Sequence, residues 1–157
     1  MKKFPESLVA HKWLDGLRGL EIGPSAHNPF GLDTRNVGLK DDIYHQEQVE
    51  LVGEAAPLEI LAEADSIPIP SESEDFVLSS HVIEHCPNFL KTLFEWYRII
   101  KPGGFLFVIT PQPDASPSDR GKPLTEWDHL VEDYVLNMTS DLELGAGRFL
   151  HCHYNIF

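Results

Sequence analysis

Cysteine is scarce in this chain. Cys86 and Cys152 are its only two in 157 residues, too few for a disulfide framework. A chain of this length buries a core without one, so both are read as thiols of a reducing compartment. Cations are scarce as well: 12 Lys and Arg stand against 25 Asp and Glu, for a formal net charge of −13. That balance argues against non-specific binding to nucleic acid or an anionic membrane surface, which would demand clustered positive charge, and favours small-molecule chemistry. No apolar run approaches the length of a bilayer span. Met1-Lys2-Lys3 gives way to Phe4-Pro5-Glu6-Ser7 rather than to an apolar leader, which predicts a cytoplasmic protein. There is no internal repeat and no low-complexity tract, and the length predicts a single domain over residues 1–157.

What is present is an alternation of short apolar runs and amphipathic stretches. Pro5 suits a helix first turn, and Leu8, Val9, Lys12, Trp13 and Leu17 predict a helix with one apolar side, ended by Gly16 and Gly19. Gly19 to Gly23 reads as a buried strand, Thr34 to Leu39 as a second, Gln46 to Val52 as a short helix and Leu58 to Leu61 as a third strand. Ile67-Pro68-Ile69-Pro70 must be extended, because each proline pushes its predecessor out of the helical region. Ser71-Glu72-Ser73-Glu74 reads as a solvated acidic turn.

The clearest unit is Asp75 to Pro111. Phe76-Val77-Leu78 is an apolar strand entering the polar exit Ser79-Ser80-His81, and Asn88 is placed to cap a helix. Leu90, Leu93, Phe94, Tyr97 and Ile100 predict that helix's buried face, with Trp96 and Tyr97 in the core or at an interface. Pro102-Gly103-Gly104 is expected to stop it, and Phe105 to Ile109 to return as a strand. Strand, helix and strand imply a right-handed parallel crossover. Beyond Pro111, QPDASPSDRGKP reads as a long loop. Thr125 with Asp128 resembles a capping box, and Trp127, Leu130, Val131, Tyr134 and Met138 predict another helix.

The turn after the first strand lacks something informative. A dinucleotide site needs G-x-G-x-x-G so that backbone N–H groups can approach a pyrophosphate, but here the run is Gly23-Pro24-Ser25, and proline removes a donor. That disfavours an NAD-linked or nucleotide-sugar enzyme. Glu21, two residues earlier, offers a carboxylate at a strand end, suited to a cationic ligand such as a sulfonium that also carries an α-amino group.

Four segments carry a family resemblance: Leu20-Glu21-Ile22-Gly23, Ala64-Asp65-Ser66-Ile67-Pro68-Ile69-Pro70, Asp75 through Ser79-Ser80-His81-Val82-Ile83-Glu84-His85, and Arg98-Ile99-Ile100-Lys101-Pro102-Gly103-Gly104. In this order they resemble the class I S-adenosylmethionine-dependent methyltransferases, particularly the type 11 domain. The resemblance implies an α/β fold with a doubly wound, mostly parallel Rossmann-like sheet flanked by helices, lacking the family's full C-terminal strands. Residues 19–111 would form the cofactor-binding core and 112–157 a variable loop and helix. Position by position, it implies that Glu21, Gly23 and Ser25 surround the methionyl part of the cofactor and that Asp41, with Asp42 second, binds the ribose hydroxyls. Asp65 would accept from the adenine amino group, with Ser66 and Ile67 lining the ring. Ser79, Ser80 and His81 would sit beside the transferred methyl.

His81 and His85 are the candidates for a general base, because imidazole titrates near neutrality. Their spacing crosses a strand exit rather than a helix, and His151 with His153 lacks further ligands by spacing, so no metal is expected. The expected activity is methyl transfer to a small-molecule or glycan-like acceptor. The alternative is a domain that binds cofactor or partner without catalysis. A sheet edge left open would need cover, for which a homodimer is the expected solution.

Overall fold

The computed structural model describes residues 4–40, 43–112, 120–121 and 123–139. Five strands form one sheet: β1 (Arg18–Ile22), β2 (Asp33–Gly38), β3 (Ile60–Leu61), β4 (Glu74–Ser80) and β5 (Ile100–Ile109). Their order is β3-β2-β1-β4-β5 and every pairing is parallel, which makes the sheet doubly wound. The chain leaves β1 toward β2 on one side and later returns to place β4 on the other. The switch point therefore falls between the C-terminal ends of β1 and β4, where the strand order reverses and open α/β sheets take their ligands.

Alternation along the strands supplies two cores. Leu20, Ile22 and Val77 face one side with Val37, Ile67 and Trp96; Phe76 and Leu78 face the other with Ala10, Leu14 and Phe30. Helix α1 (Pro5–Leu14) serves the second core, and α3 (Phe89–Ile99) with α4 (Trp127–Val135) the first. Helix α2 (Ile43–Val52) follows β2. Helix α1 stops at Leu14, before Gly16, and Gly19 lies within β1, where a Cβ would meet the Phe76 carbonyl oxygen at 2.3 Å. Among the described residues no helix is long and apolar enough to cross a membrane.

The helix faces differ from the expected ones. In α1 the buried residues are Ser7, Ala10 and Leu14, while Leu8, Val9 and Trp13 are exposed. Ala10 and Leu14 join the cluster that holds Phe76, and apolar character alone does not reveal that this face is the buried one. In α3 the buried set is Phe89, Thr92, Trp96 and Ile99, with Phe94 56% and Tyr97 78% exposed. Leu90, Leu93 and Ile100 of the expected face are partly buried and pack against the same core, so the buried face is shifted from the expected one rather than opposed to it. The Trp96 indole N–H donates to the Ala64 carbonyl at 2.9 Å. Asn88 caps α3 as expected, accepting from the Lys91 N–H at 3.0 Å, and its amide also donates to the Asp133 carbonyl of α4 at 2.9 Å.

Boundaries also move. Helix α3 ends at Ile99, and Ile100 with Pro102-Gly103-Gly104 opens β5, where the ladder shifts register between Glu74 and Phe76. Glu74 is not in a solvated turn: it is buried in β4 and paired with Arg35 of β2. The third strand is only two residues long, and the cap of α4 is Glu126, one residue past the expected Thr125, with Met138 beyond the helix. Ile67-Pro68-Ile69 is not fully extended: the Ile69 N–H donates back to the Ile67 carbonyl at 2.8 Å, a three-residue turn about Pro68, and the segment is tied to α3, with the Ile67 N–H donating to Glu95 and Arg98 donating to the carbonyls of Ile67 and Ile69. Asp41, Asp42, Cys152, His151, His153 and most of the 112–123 loop lie outside the described residues.

Candidate active site

Strand β1 delivers Glu21 to the switch point. Its side chain lies among buried groups, and burial pushes its carboxyl up from 4.5 to about 7, the Thr34 hydroxyl opposing this weakly from 3.5 Å. Among the described residues no cation stands beside this carboxylate, and a ligand that brings one would restore the ionised form. At Gly23 the chain turns with φ +64, its N–H donating to the Val37 carbonyl at 2.9 Å. A Cβ at that position would meet Val82 Cγ2 at 2.4 Å. The tight turn thus keeps the ends of β1 and β4 close together.

The loop after Gly23 is braced by a residue that gave no sequence signal. Gln48 of α2 accepts from the N–H groups of Ala26 (2.8 Å) and Ala56 (3.1 Å) and donates to the Pro24 carbonyl (3.1 Å). One amide fixes three backbone groups, which a loop without regular structure would otherwise leave to water. Ser25 turns its hydroxyl to His27 Nδ1 at 2.7 Å.

Strand β4 brings Ser79 beside Ile22 in register. Ser79 is fully buried and its hydroxyl has no hydrogen-bond partner, the signature of a polar group awaiting a ligand or water. Ser80 ends the strand beside Ile109. His81 follows with φ +55, a conformation L side chains rarely adopt, pinned by its N–H donating to the Ile109 carbonyl at 2.9 Å. A single 3₁₀ turn, Ile83–His85, then buries Glu84 between the two imidazoles. His81 Nδ1 stands 3.6 Å and His85 Nε2 3.9 Å from Glu84 Oε1, and burial pushes this carboxyl, too, up to about 7. The one sequence signal for Glu84 is its i,i+3 spacing from His81.

The expected adenine end is arranged differently. Asp65 forms an ion pair with Lys91 of α3 at 2.9 Å. Ile67 points into the core beneath α3 instead of lining an open surface, because its backbone is tied to Glu95 and Arg98. Ser66 is exposed. The negative charges of Asp65 and Glu84 are both felt at Cys86, whose thiol is pushed up to about 12, chiefly by burial, and so stays protonated. Among the described residues no cluster of His, Cys, Asp and Glu is arranged to hold a metal.

A doubly wound parallel sheet with a buried acid, a glycine turn and an orphaned hydroxyl at its switch point defines a cofactor-binding α/β domain. The residues fit a ligand with a positive charge and no phosphate. A family model described as a methyltransferase domain matches residues 32–108, so the greater part of the sheet, from β2 through β5, is similar to that family. A demethylmenaquinone methyltransferase of Listeria welshimeri is 33% identical over 96 residues, covering 60% of this chain and 39% of that protein. Among solved structures, a SAM-dependent methyltransferase of Thermotoga maritima, described as a possible histamine N-methyltransferase, superposes with a TM-score of 0.54 at 25% identity, covering 69% of this chain and 51% of that one. A SAM-dependent methyltransferase of Aquifex aeolicus shares the fold with a TM-score of 0.51 at 22% identity, covering 76% of this chain and 70% of the other. The chain thus spans about two fifths of the length of the curated relatives it matches.

Proposed function

We propose that this chain binds S-adenosylmethionine at the β1/β4 switch point and transfers its methyl group to a small-molecule or glycan-like acceptor in the cytoplasm. The observation that carries the reading is Glu21, a buried carboxylate with no cation beside it among the described residues, near the C-terminal end of β1. Bound there, the sulfonium supplies the leaving group and thus the driving force. The chain's own contribution is orientation. Glu21 holds an ammonium or sulfonium charge, the Gly23 turn admits the methionyl backbone, and Ser79 and Ser80 line the approach to the methyl. Asp41 or Asp42 is assigned to the ribose and Asp65 to the adenine amino group through its second carboxylate oxygen. Alignment of acceptor, methyl carbon and sulfur accelerates the reaction through effective molarity, with water kept out.

The experiment is thermal denaturation of the 157-residue chain with S-adenosylmethionine or S-adenosylhomocysteine. Stabilisation at millimolar ligand is expected from mass action. A folded sample with no shift would defeat the reading. An acceptor screen starts from demethylmenaquinone and histamine, the compounds in the names of the Listeria and Thermotoga proteins. Turnover would identify an enzyme, and binding without turnover across a broad screen would favour the catalytically silent reading. Light scattering tests the homodimer proposed to cover an open sheet edge, which a strict monomer would remove.

A further inference from the structure

Several buried carboxylates of the described residues have an evident partner: Glu74 meets Arg35, Asp133 meets His129 and Glu21 meets Thr34. Glu84 meets two imidazoles. Both face one oxygen, Oε1, with His81 presenting Nδ1 and His85 presenting Nε2, while Oε2 is buried without a hydrogen-bond partner. The two rings are held differently. His85 lies against Tyr44 of α2, with ring centroids 5.1 Å apart. The His81 side chain is 56% exposed, but its backbone is locked at φ +55 by the hydrogen bond to Ile109. Backbone conformations of this kind are uncommon outside glycine and collect at functional sites. This one aims an accessible imidazole from the β4 exit, next to the Val82 side chain that faces Gly23.

We propose that Glu84 is a positioning residue whose Oε1 holds His81 in the Nδ1–H tautomer, so that Nε2 takes the proton of an acceptor that must lose one, a hydroxyl or an N–H amine, during methyl transfer. This role rests on the methyl-transfer reading above. The separation of 3.6 Å closes to hydrogen-bond length with a small ring rotation, as contacts of this kind do when a ligand seats. The balance is complete without a further reagent. The acceptor's lone pair forms the new bond to the methyl carbon, the carbon–sulfur bond breaks with its electron pair returning to sulfur, and the acceptor's proton passes to His81 Nε2. Glu84 then faces an imidazolium whose charge it offsets. An acceptor without a proton to lose, such as a thioether or tertiary amine, would have no use for this arrangement.

The test is long-range nitrogen–proton NMR of histidine-labelled 157-residue chain at pH 8, which distinguishes imidazole tautomers. His81, assigned through a His81→Asn variant that tolerates the left-handed backbone, is expected in the Nδ1–H form. In Glu84→Ala, shown folded by its circular dichroism and melting, it is expected to revert to the Nε2–H form that free imidazole prefers. A His85→Ala control should leave the His81 tautomer unchanged. Nε2–H at His81 in the parent chain, or an unchanged tautomer in Glu84→Ala, would overturn the proposal at its structural step. A parent chain that gains no stability from S-adenosylhomocysteine would overturn it through the reading beneath it, whatever the tautomer.

Discussion

The two strand ends that meet at the switch point are built differently. After β1, the chain is shaped by neutral hydrogen bonds: Gln48 ties down Pro24, Ala26 and Ala56, and Glu21 waits behind the turn at Gly23. After β4, it is shaped by ionisable groups: His81, Glu84 and His85 gather within one short turn, and the backbone at His81 is strained. The first end holds a buried acid behind a hydrogen-bonded turn, and the second gathers two imidazoles about a buried acid. On the reading proposed above, the first would receive the charged methyl donor and the second would take the proton of the acceptor.

The comparison breaks most severely at the glycines. Gly19→Ala would drive a Cβ into the Phe76 carbonyl between β1 and β4, and urea denaturation should show a loss of about 3 kcal/mol or more, at the upper end of what overpacking costs. Gly23→Val should abolish stabilisation by S-adenosylhomocysteine. The turn at φ +64 strains any side chain, and the added Cβ would displace Val82, so part of that loss reflects a disturbed site rather than a blocked cofactor. Gly23→Ala combined with Val82→Ala relieves the clash and keeps the strain, about 1–3 kcal/mol, which separates the two contributions.

Next come the two acids. Glu21→Gln should weaken S-adenosylmethionine about 30-fold or more in calorimetric titration, because a buried charge pair would lose one member. The same change should stabilise the ligand-free protein at pH 8 by about 1–3 kcal/mol and do little at pH 4. The sign follows from burial. Both Glu21 and Glu84 have folded-state values raised from 4.5 to about 7, so neither costs anything while protonated, and each subtracts stability as the pH climbs from 4.5 through 7. Melting of the ligand-free chain should therefore fall across that window, and the fall should be shallower in Glu21→Gln and in Glu84→Gln. For the same reason affinity for a cationic ligand should rise through pH 7 in the parent chain and stay flat in Glu21→Gln.

Smaller effects sharpen the contrast. Gln48→Ala leaves three backbone groups without their partner and should cost about 1–3 kcal/mol, with weaker cofactor binding and the tautomer of His81 unaltered. Cys86→Ser should leave the cofactor-induced thermal shift intact, since the thiol is buried and protonated.

Helix α3 shows where reading the sequence stops. Its existence, its Asn88 cap and the parallel crossover from β4 to β5 were legible, because a capping residue, an apolar period and a short strand on either side are local signals. Its buried face was legible in part: Leu90, Leu93 and Ile100 do pack against the core, but Phe94 and Tyr97 are exposed and Phe89, Thr92, Trp96 and Ile99 are the buried set. The contacts to Ala64 and α4 accompany that shift, and they join segments distant along the chain. Glu74 tells the same story: an acidic run reads as solvent-facing until Arg35 arrives from a neighbouring strand.

The candidate site divides along the same line. Glu21, Gly23, Ser79 and His81 were visible as residue types at strand ends, since alternation and the loss of apolar character mark where a buried parallel strand meets solvent. Bringing their strand ends side by side needed the sheet order β3-β2-β1-β4-β5, which sets Ile22 beside Ser79 although 57 positions separate them, with Glu21 on the opposite face beside Leu78. Gln48, Lys91 and Glu84 acquire meaning only from the partners that the fold brings to them. The sequence by itself determined which elements form and which chemical groups lie at their ends, because those depend on neighbours along the chain. The tertiary structure alone decided which face is buried, which acid is left without a cation and which imidazole stands beside a carboxylate, because those depend on neighbours in space.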